Sequence, residues 1–420
     1  MDRINNNTGG IIYLDAPVID NHNGSTPMFL QLAYTAPHAG NVRASLQPPP
    51  APVEHAHIAH SDRRLYAQMV SHLDAAIGKV VKALSDKGIL NNTIIIFASD
   101  NGAPTLGQFT NTGLNLPFRG IKATPWEGAV RVPAFIWHSS FKPRMWDGLM
   151  HITDWLPTLL AAAGKKTALN IDGKNQWEAI KNNKESRRND VVINIDNMEN
   201  QAAYRLGDYK IVVGNITGPK QLHAGKMYLE TKRDYRPPNY FSTVKNSDVA
   251  RVLEEHGKIL NENDVYSMRE RTKINQLDSV QDAKLCVPTP ERGCLFNVHC
   301  DPTEEHDLWD EKPDVVLLLK SRLDSYASQQ EPRSPTKVDK RSDPANFDYI
   351  WKPWLSVPPE RNSTREDEGK RDELIIDASG DDVSSVCTDG KPHYNTEFLV
   401  DKLGDIIIRI RWPRSAATGR

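Results

Sequence analysis

No stretch of this 420-residue chain approaches the run of roughly 18–20 apolar residues that a membrane helix needs. Charge of one sign is not in excess either: 52 Lys and Arg against 54 Asp and Glu give a formal net charge of −2. That balance argues against nucleic acid or an anionic membrane as the main partner. The first 29 residues lack the basic, then apolar, then small-residue order of a signal peptide. Cysteine is scarce, and Cys286, Cys294, Cys300 and Cys387 all lie in the last third. Four cysteines allow three pairings, and buried free thiols stay an alternative.

What is present is a chain with 39% hydrophobic residues, long enough for a real core and for two domains or one large domain with an appendage. Sequons stand at Asn6, Asn23, Asn91, Asn215 and Asn362. Each alone is a weak signal, but with the cysteines they fit a secretory protein lacking its leader.

The pattern predicts a buried strand over Met28–Tyr34, then a loop with Pro37 and His38. A helix is expected from about Asp62 to Lys87, with Ser61 as N-cap. Leu65, Met69, Leu73, Ile77, Val80, Val81 and Leu84 form one apolar face, and Gly88 is a natural stop. Strands are expected at Thr93–Ala98, buried on both faces, and at Val130–Trp137. "HITDWLPTLLAAAG" reads as a short helix ended by Gly164. Strand, helix and strand in alternation predict an α/β fold with a mostly parallel sheet and helices on its faces.

"DVVINID" fits one more strand of that sheet, and "AAYRLGDYKIVVG" carries a Gly-Asp hairpin signal. "PDVVLLLKSRLDSYASQQ" reads as a helix. The expected organisation is a poorly ordered start over 1–25, a partial catalytic domain over 26–199, a smaller C-terminal α+β domain over 200–355, and a charged linker with a tail over 356–420. "FLVDKLGDIIIRIRW" fits a strand pair without an assigned place.

Asp100 and Asn101 follow an apolar strand, where ligands of open α/β sheets gather. Their oxygens are hard donors, suited to Ca²⁺ or Mg²⁺ rather than zinc. Gly102 lets the backbone turn away. An ordinary Asp-Asn-Gly turn is the alternative. Lys122 is a lone cation suited to an anionic oxygen, or a plain surface lysine. His38 is a titratable imidazole past a strand end, or a plain loop histidine. His55, His57 and His60 sit in a proline-rich loop and read as solvated.

The blocks "PMFLQLAYTAPHAG", "LYAQMVSHLDAAIGKVVKALSDKGILNNTIIIFASDNG", "LPFRGIKATPWEGAVRVPAFIW" and "HITDWLPTLLAAAG" resemble consecutive parts of a type I sulfatase, nearest to arylsulfatase B and its relatives. "INIDN", "AAYRLGDYKIVVG" and "CLFNVHCDPTEEHDL" are similar to that subgroup's C-terminal part, so the resemblance covers about residues 26–355. It implies an alkaline-phosphatase-like α/β fold and hydrolysis of sulfate esters on glycosaminoglycan-like sugars. Asp100 and Asn101 match two Ca²⁺ ligands of the family. His38 matches a histidine that contacts sulfate and helps protonate the leaving group, and Lys122 a lysine that holds a sulfate oxygen. A lysosomal or extracellular place follows by family; the oligomeric state is not legible.

The departures are specific. The family's nucleophile is a formylglycine made from the cysteine of a Cys-x-Pro-Ser-Arg motif, and that motif does not occur here, nor does the family's Gly-Lys-x-His motif. The first pair of aspartate ligands is also missing, so the Ca²⁺ site is expected to be incomplete. Ala103 stands where glycine is frequent, and Ile193 where the subgroup tends to have histidine. The expectation is an N-terminally truncated sulfatase, inactive as it stands; the alternative is a non-catalytic protein that binds sulfated glycans. A two-metal phosphatase of the same superfamily is a third reading, which needs more histidines and aspartates downstream.

Overall fold

The computed structural model describes residues 15–40, 44–48, 55–107, 110–165, 170–216, 218, 222–223, 239–272, 274, 285–331, 339–347 and 354–355, with backbone alone at 15–16, 396–400 and 406–410. Cys387, the sequons Asn6 and Asn362, and the expected charged linker after Pro358 lie outside the described residues. Asn23, Asn91 and Asn215 are exposed.

In chain order the elements are α1 (Asp15–Asn21), α2 (Ser61–Asp86), β1 (Ile95–Ala98), α3 (Glu127–Val130), β2 (Ala134–Trp137), α4 (Trp155–Ala162), α5 (Trp177–Asn182), β3 (Asp190–Asp196), β4 (Gln201–Leu206), β5 (Tyr209–Gly214), α6 (Tyr240–Lys245), α7 (Asp248–Glu255), α8 (Glu262–Arg271), β6 (Cys294–Asn297), α9 (Pro313–Ala327), β7 (Thr396–Val400) and β8 (Ile406–Ile410). The α/β class expected from the sequence is what forms. The chain divides into two compact units. One holds residues up to 24, 31–152 and 176–330; the other holds 25–30, 153–175 and 331 onward.

In the first unit α2 follows its apolar periodicity, burying Met69, Ala76, Val81 and Leu84. Its N-cap is His60, not Ser61, whose hydroxyl instead faces Asp62. Gly88 ends the helix as expected. Its φ of +73° lets Gly88 and Ile89 donate their N–H groups to the carbonyls of Ser85 and Leu84, closing the last turn.

The expected parallel sheet is corrected among the described residues. β1 and β2 pair antiparallel, from Ile95↔Trp137 to Ala98↔Ala134. The connection between them is long enough for either sense, but among the described residues its only helix is the single turn α3, so no crossover helix separates the strands. β1 starts at Ile95 because Thr93 closes a 3₁₀ turn, its hydroxyl donating to Ile89 O. Burial on both faces does not hold for β1: none of its residues is fully buried and Ala98 is exposed. Met28–Tyr34 forms no strand; its residues alternate between half-buried and exposed without a ladder.

β3 to β6 make a four-stranded antiparallel sheet in sequence order. "DVVINID" is therefore the edge strand β3 of this sheet, not a neighbour of β1. The Gly-Asp hairpin forms as expected, with Gly207 and Asp208 joining β4 to β5. Strand alternation gives the sheet two faces. Tyr204, Ile211 and Leu295 pack under Val316, Leu319 and Leu323 of α9. Ala203, Val212, Cys294 and Phe296 face the other way and pack with Trp126 and with Cys286, which is disulfide-bonded to Cys294. That second face anchors the segment leading into α3.

In the second unit α4 runs as expected and stops at Gly164, φ +74°. β7 and β8 form the anticipated terminal pair, antiparallel. No helix among the described residues is long and apolar enough to cross a membrane.

Candidate functional site

β1 ends at Ala98, and Asp100 and Asn101 follow it directly. The Asn101 N–H donates to Asp100 Oδ1 at 2.9 Å, and Asn101 Nδ2 donates to Gly102 O at 3.1 Å. Asp100 is exposed, and among the described residues it forms no ion pair. The amide nitrogen of Asn101 is thus spent on the backbone, leaving Oδ1 as its acceptor end. Gly102 is held hard against α3: its N–H donates to Ala129 O at 2.8 Å, and a Cβ there would lie 1.8 Å from Gly128 O. Only glycine fits this approach.

Lys122 stands at the corner of a turn closed by Thr124 N–H donating to Ile121 O, with Ala123 in the left-handed region at φ +67°. Its ammonium reaches His38: Nζ and Nε2 are 3.4 Å apart. His38 Nδ1 lies 2.6 Å from Ala39 O. A carbonyl only accepts, so Nδ1 carries the proton and Nε2 presents its lone pair toward Lys122. The structure brings His38 and Lys122 together across 84 residues of sequence. It ties Lys122 to the Asp100 loop through the backbone, Lys122 N–H donating to Ala103 O at 3.3 Å. His55, of the histidine-rich loop, is engaged with Ser71 at 2.9 Å. Among the described residues no three His, Cys, Asp or Glu side chains cluster as a metal cage.

Behind these loops lies a group the sequence reading did not single out. Glu127, the first residue of α3, is buried and accepts from Lys210 Nζ at 2.9 Å; Lys210 also reaches Glu304 at 2.7 Å. Glu304 Oε2 accepts the Glu127 N–H at 2.7 Å. Burial and the neighbouring Glu127 charge raise the Glu304 carboxyl, and Lys210 does not offset them. Burial acts on Glu127 in the same direction, but there the Lys210 ammonium prevails and its pKa falls. One ammonium between the two carboxyls keeps Glu127 ionised, while Glu304 holds its proton more tightly than an ordinary carboxyl. Arg119, also buried, stacks 3.7 Å over the Trp126 ring and donates to Cys286 O at 2.7 Å. Burial pushes it down to about 10, which leaves it charged at neutral pH. The readable signal was a lysine inside the apolar strand "YKIVVG", which demands buried partners.

Residues 12–165 match the family model described as Sulfatase. Mouse arylsulfatase J is 31% identical over 80% of this chain and 51% of its own length. Bovine arylsulfatase A is 35% identical over 27% of this chain and 23% of its own. Dog N-acetylgalactosamine-6-sulfatase is 34% identical over 33% of this chain and 25% of its own. The chain therefore spans about half the length of the first of these relatives and about a quarter of the others. Residues 12–165 of this α/β chain thus match the sulfatase family, and similarity to a sulfatase runs along 80% of the chain.

Proposed function

We propose that these residues form part of the active site of a sulfuric ester hydrolase of the arylsulfatase B type, acting on sulfated, glycosaminoglycan-like sugars in a lysosomal or extracellular setting. The observation that carries the reading is the 3.4 Å approach of Lys122 Nζ to His38 Nε2, beside the Asp100 loop. A sulfate ester builds negative charge on its equatorial oxygens and on the leaving alkoxide. Lys122 binds one such oxygen as a fixed cation. His38, with its Nδ1 proton pinned on Ala39 O, aims Nε2 at the leaving oxygen; it can donate there only once Nε2 has itself taken up a proton and given up its contact with the Lys122 ammonium.

Asp100 and Asn101 suit Ca²⁺ by donor chemistry: an exposed carboxylate and an amide oxygen without a competing partner. They would supply two of the roughly six to eight oxygens such an ion takes. When bound, the ion would neutralise charge on the sulfate oxygens.

A second reading rests on sequence: none of the four cysteines stands in a Cys-x-Pro-Ser-Arg motif. On that reading residues 1–420 alone bind sulfated glycans without cleaving them.

One titration tests the proposed site. Binding of a sulfated N-acetylgalactosamine to the full chain is followed by calorimetry, with and without Ca²⁺. Binding should strengthen with Ca²⁺, lose that dependence in Asp100→Ala, and weaken in Lys122→Ala at any Ca²⁺ concentration. Identical isotherms for the wild type and both variants would overturn the assignment.

A further inference from the structure

We propose that Asn115 is a positioning residue, setting the distance between the Asp100–Asn101 loop and Lys122; this rests on the sulfatase reading of that site. Asn115 Oδ1 accepts the Ala103 N–H at 2.7 Å, and its Nδ2 donates back to Ala103 O at 2.9 Å. The pair of bonds copies what a neighbouring strand would make. The same Nδ2 donates to Gly120 O at 3.1 Å. Ala103 lies two residues beyond Asn101, and Gly120 two before Lys122. Ala103 O also receives the Lys122 N–H. One half-buried carboxamide thus fastens both ends of the site.

The chemistry is specific. The task requires an acceptor and two donor hydrogens in one plane, which only an amide side chain supplies. Aspartate keeps the acceptor but turns it against two carbonyls; glutamine is one methylene too long. Asn111 serves the third segment in the same manner. Its Nδ2 donates to Pro37 O at 3.0 Å, beside His38, while its Oδ1 accepts Gly113 N–H at 2.9 Å. Asparagines at 111 and 115 thereby hold the His38 and Asp100 segments to one loop.

Amide-resolved hydrogen exchange of the full chain, paired with terbium(III) luminescence titration as a Ca²⁺ stand-in, tests this. In Asn115→Ala the amides of Ala103 and Lys122 should exchange roughly two- to tenfold faster, the value of one lost hydrogen bond. Protection of α2 and of β4–β5 should hold. Asn115→Asp should retain protection at Ala103 N–H, a distinction that general destabilisation does not produce. Terbium affinity should fall by about the same factor in Asn115→Ala. Unchanged exchange at Ala103, or equal loss throughout α2, would overturn the positioning role and leave the site assignment standing. Terbium binding indifferent to Asp100→Ala would overturn the site assignment, and this inference with it.

Discussion

Lys210 and Glu304 form an ion pair at 2.7 Å in which both side chains are wholly removed from solvent. Glu127 completes the group from α3, whose Ala129 carbonyl holds Gly102. The four-stranded sheet is thereby joined to the loop carrying Asp100 by charge as well as by the packing of Trp126 on Phe296.

Removing the central cation should be severe. Lys210→Met strands two buried carboxyls, and breaking a buried pair typically costs about 3–5 kcal/mol. Thermal unfolding should show a large fall in Tm. Adding Glu127→Gln and Glu304→Gln to the same chain should return much of the loss, because no uncompensated charge then remains. If Lys210→Met unfolds at the wild-type temperature, the group has no structural weight.

The same group sets a pH dependence. Glu304 is raised from 4.5 to about 7, by burial first and then by Glu127. An acid that holds its proton more tightly when folded favours the folded state below its unfolded pKa. That contribution fades as pH climbs through the folded value. Glu304 should therefore make the protein progressively less stable between about pH 4.5 and 7. Glu127, lowered by Lys210, acts in the opposite sense and matters at more acidic pH. Unfolding midpoints in urea across this range should fall with pH in the wild type. They should be flatter in Glu304→Gln; parallel slopes in both would refute the assignment of the proton.

These buried charges mark where sequence reading runs out. Periodicity located α2 within a residue or two, because a long one-sided helix writes its face into the chain. The Gly-Asp turn located the β4–β5 hairpin, because two-residue turns have narrow chemistry. Strand pairing was not legible: "IIFA" and "AFIW" fit a parallel or antiparallel ladder equally, and the connection between them is long enough for either. His38, Asp100, Asn101 and Lys122 were singled out by residue type, position and family resemblance, and the fold brings Lys122 to His38 and, through its backbone, to the Asp100 loop. Asn111, Asn115 and Glu304 were not singled out, since an isolated polar residue carries no periodic signal and its role depends on what folds beside it.

Gly102 offers a sharper test of the loop. Gly102→Ala would set a methyl against Gly128 O, a backbone atom that α3 holds in place. Overpacking of this kind costs typically 1–3 kcal/mol. Its effect should concentrate locally, with faster exchange at the Gly102 amide and weaker terbium binding. An alanine variant with native Tm and native metal affinity would show that the close approach is not required.

The final expectation concerns turnover. Formylglycine arises from the cysteine of a Cys-x-Pro-Ser-Arg motif, and Cys286, Cys294, Cys300 and Cys387 all lack that context. Cys286 and Cys294 are moreover joined to each other. His38 and Lys122 can bind an anion and place a proton, but neither makes an oxygen nucleophile on sulfur. Residues 1–420, co-expressed with the formylglycine-generating enzyme, should therefore not hydrolyse 4-nitrocatechol sulfate above the rate of buffer. A measurable rate that vanishes in Lys122→Ala would locate turnover at this site and require a nucleophile among the residues present. A rate that survives Lys122→Ala and His38→Ala would point to a contaminating enzyme, and a chain purified from a sulfatase-free host distinguishes the two.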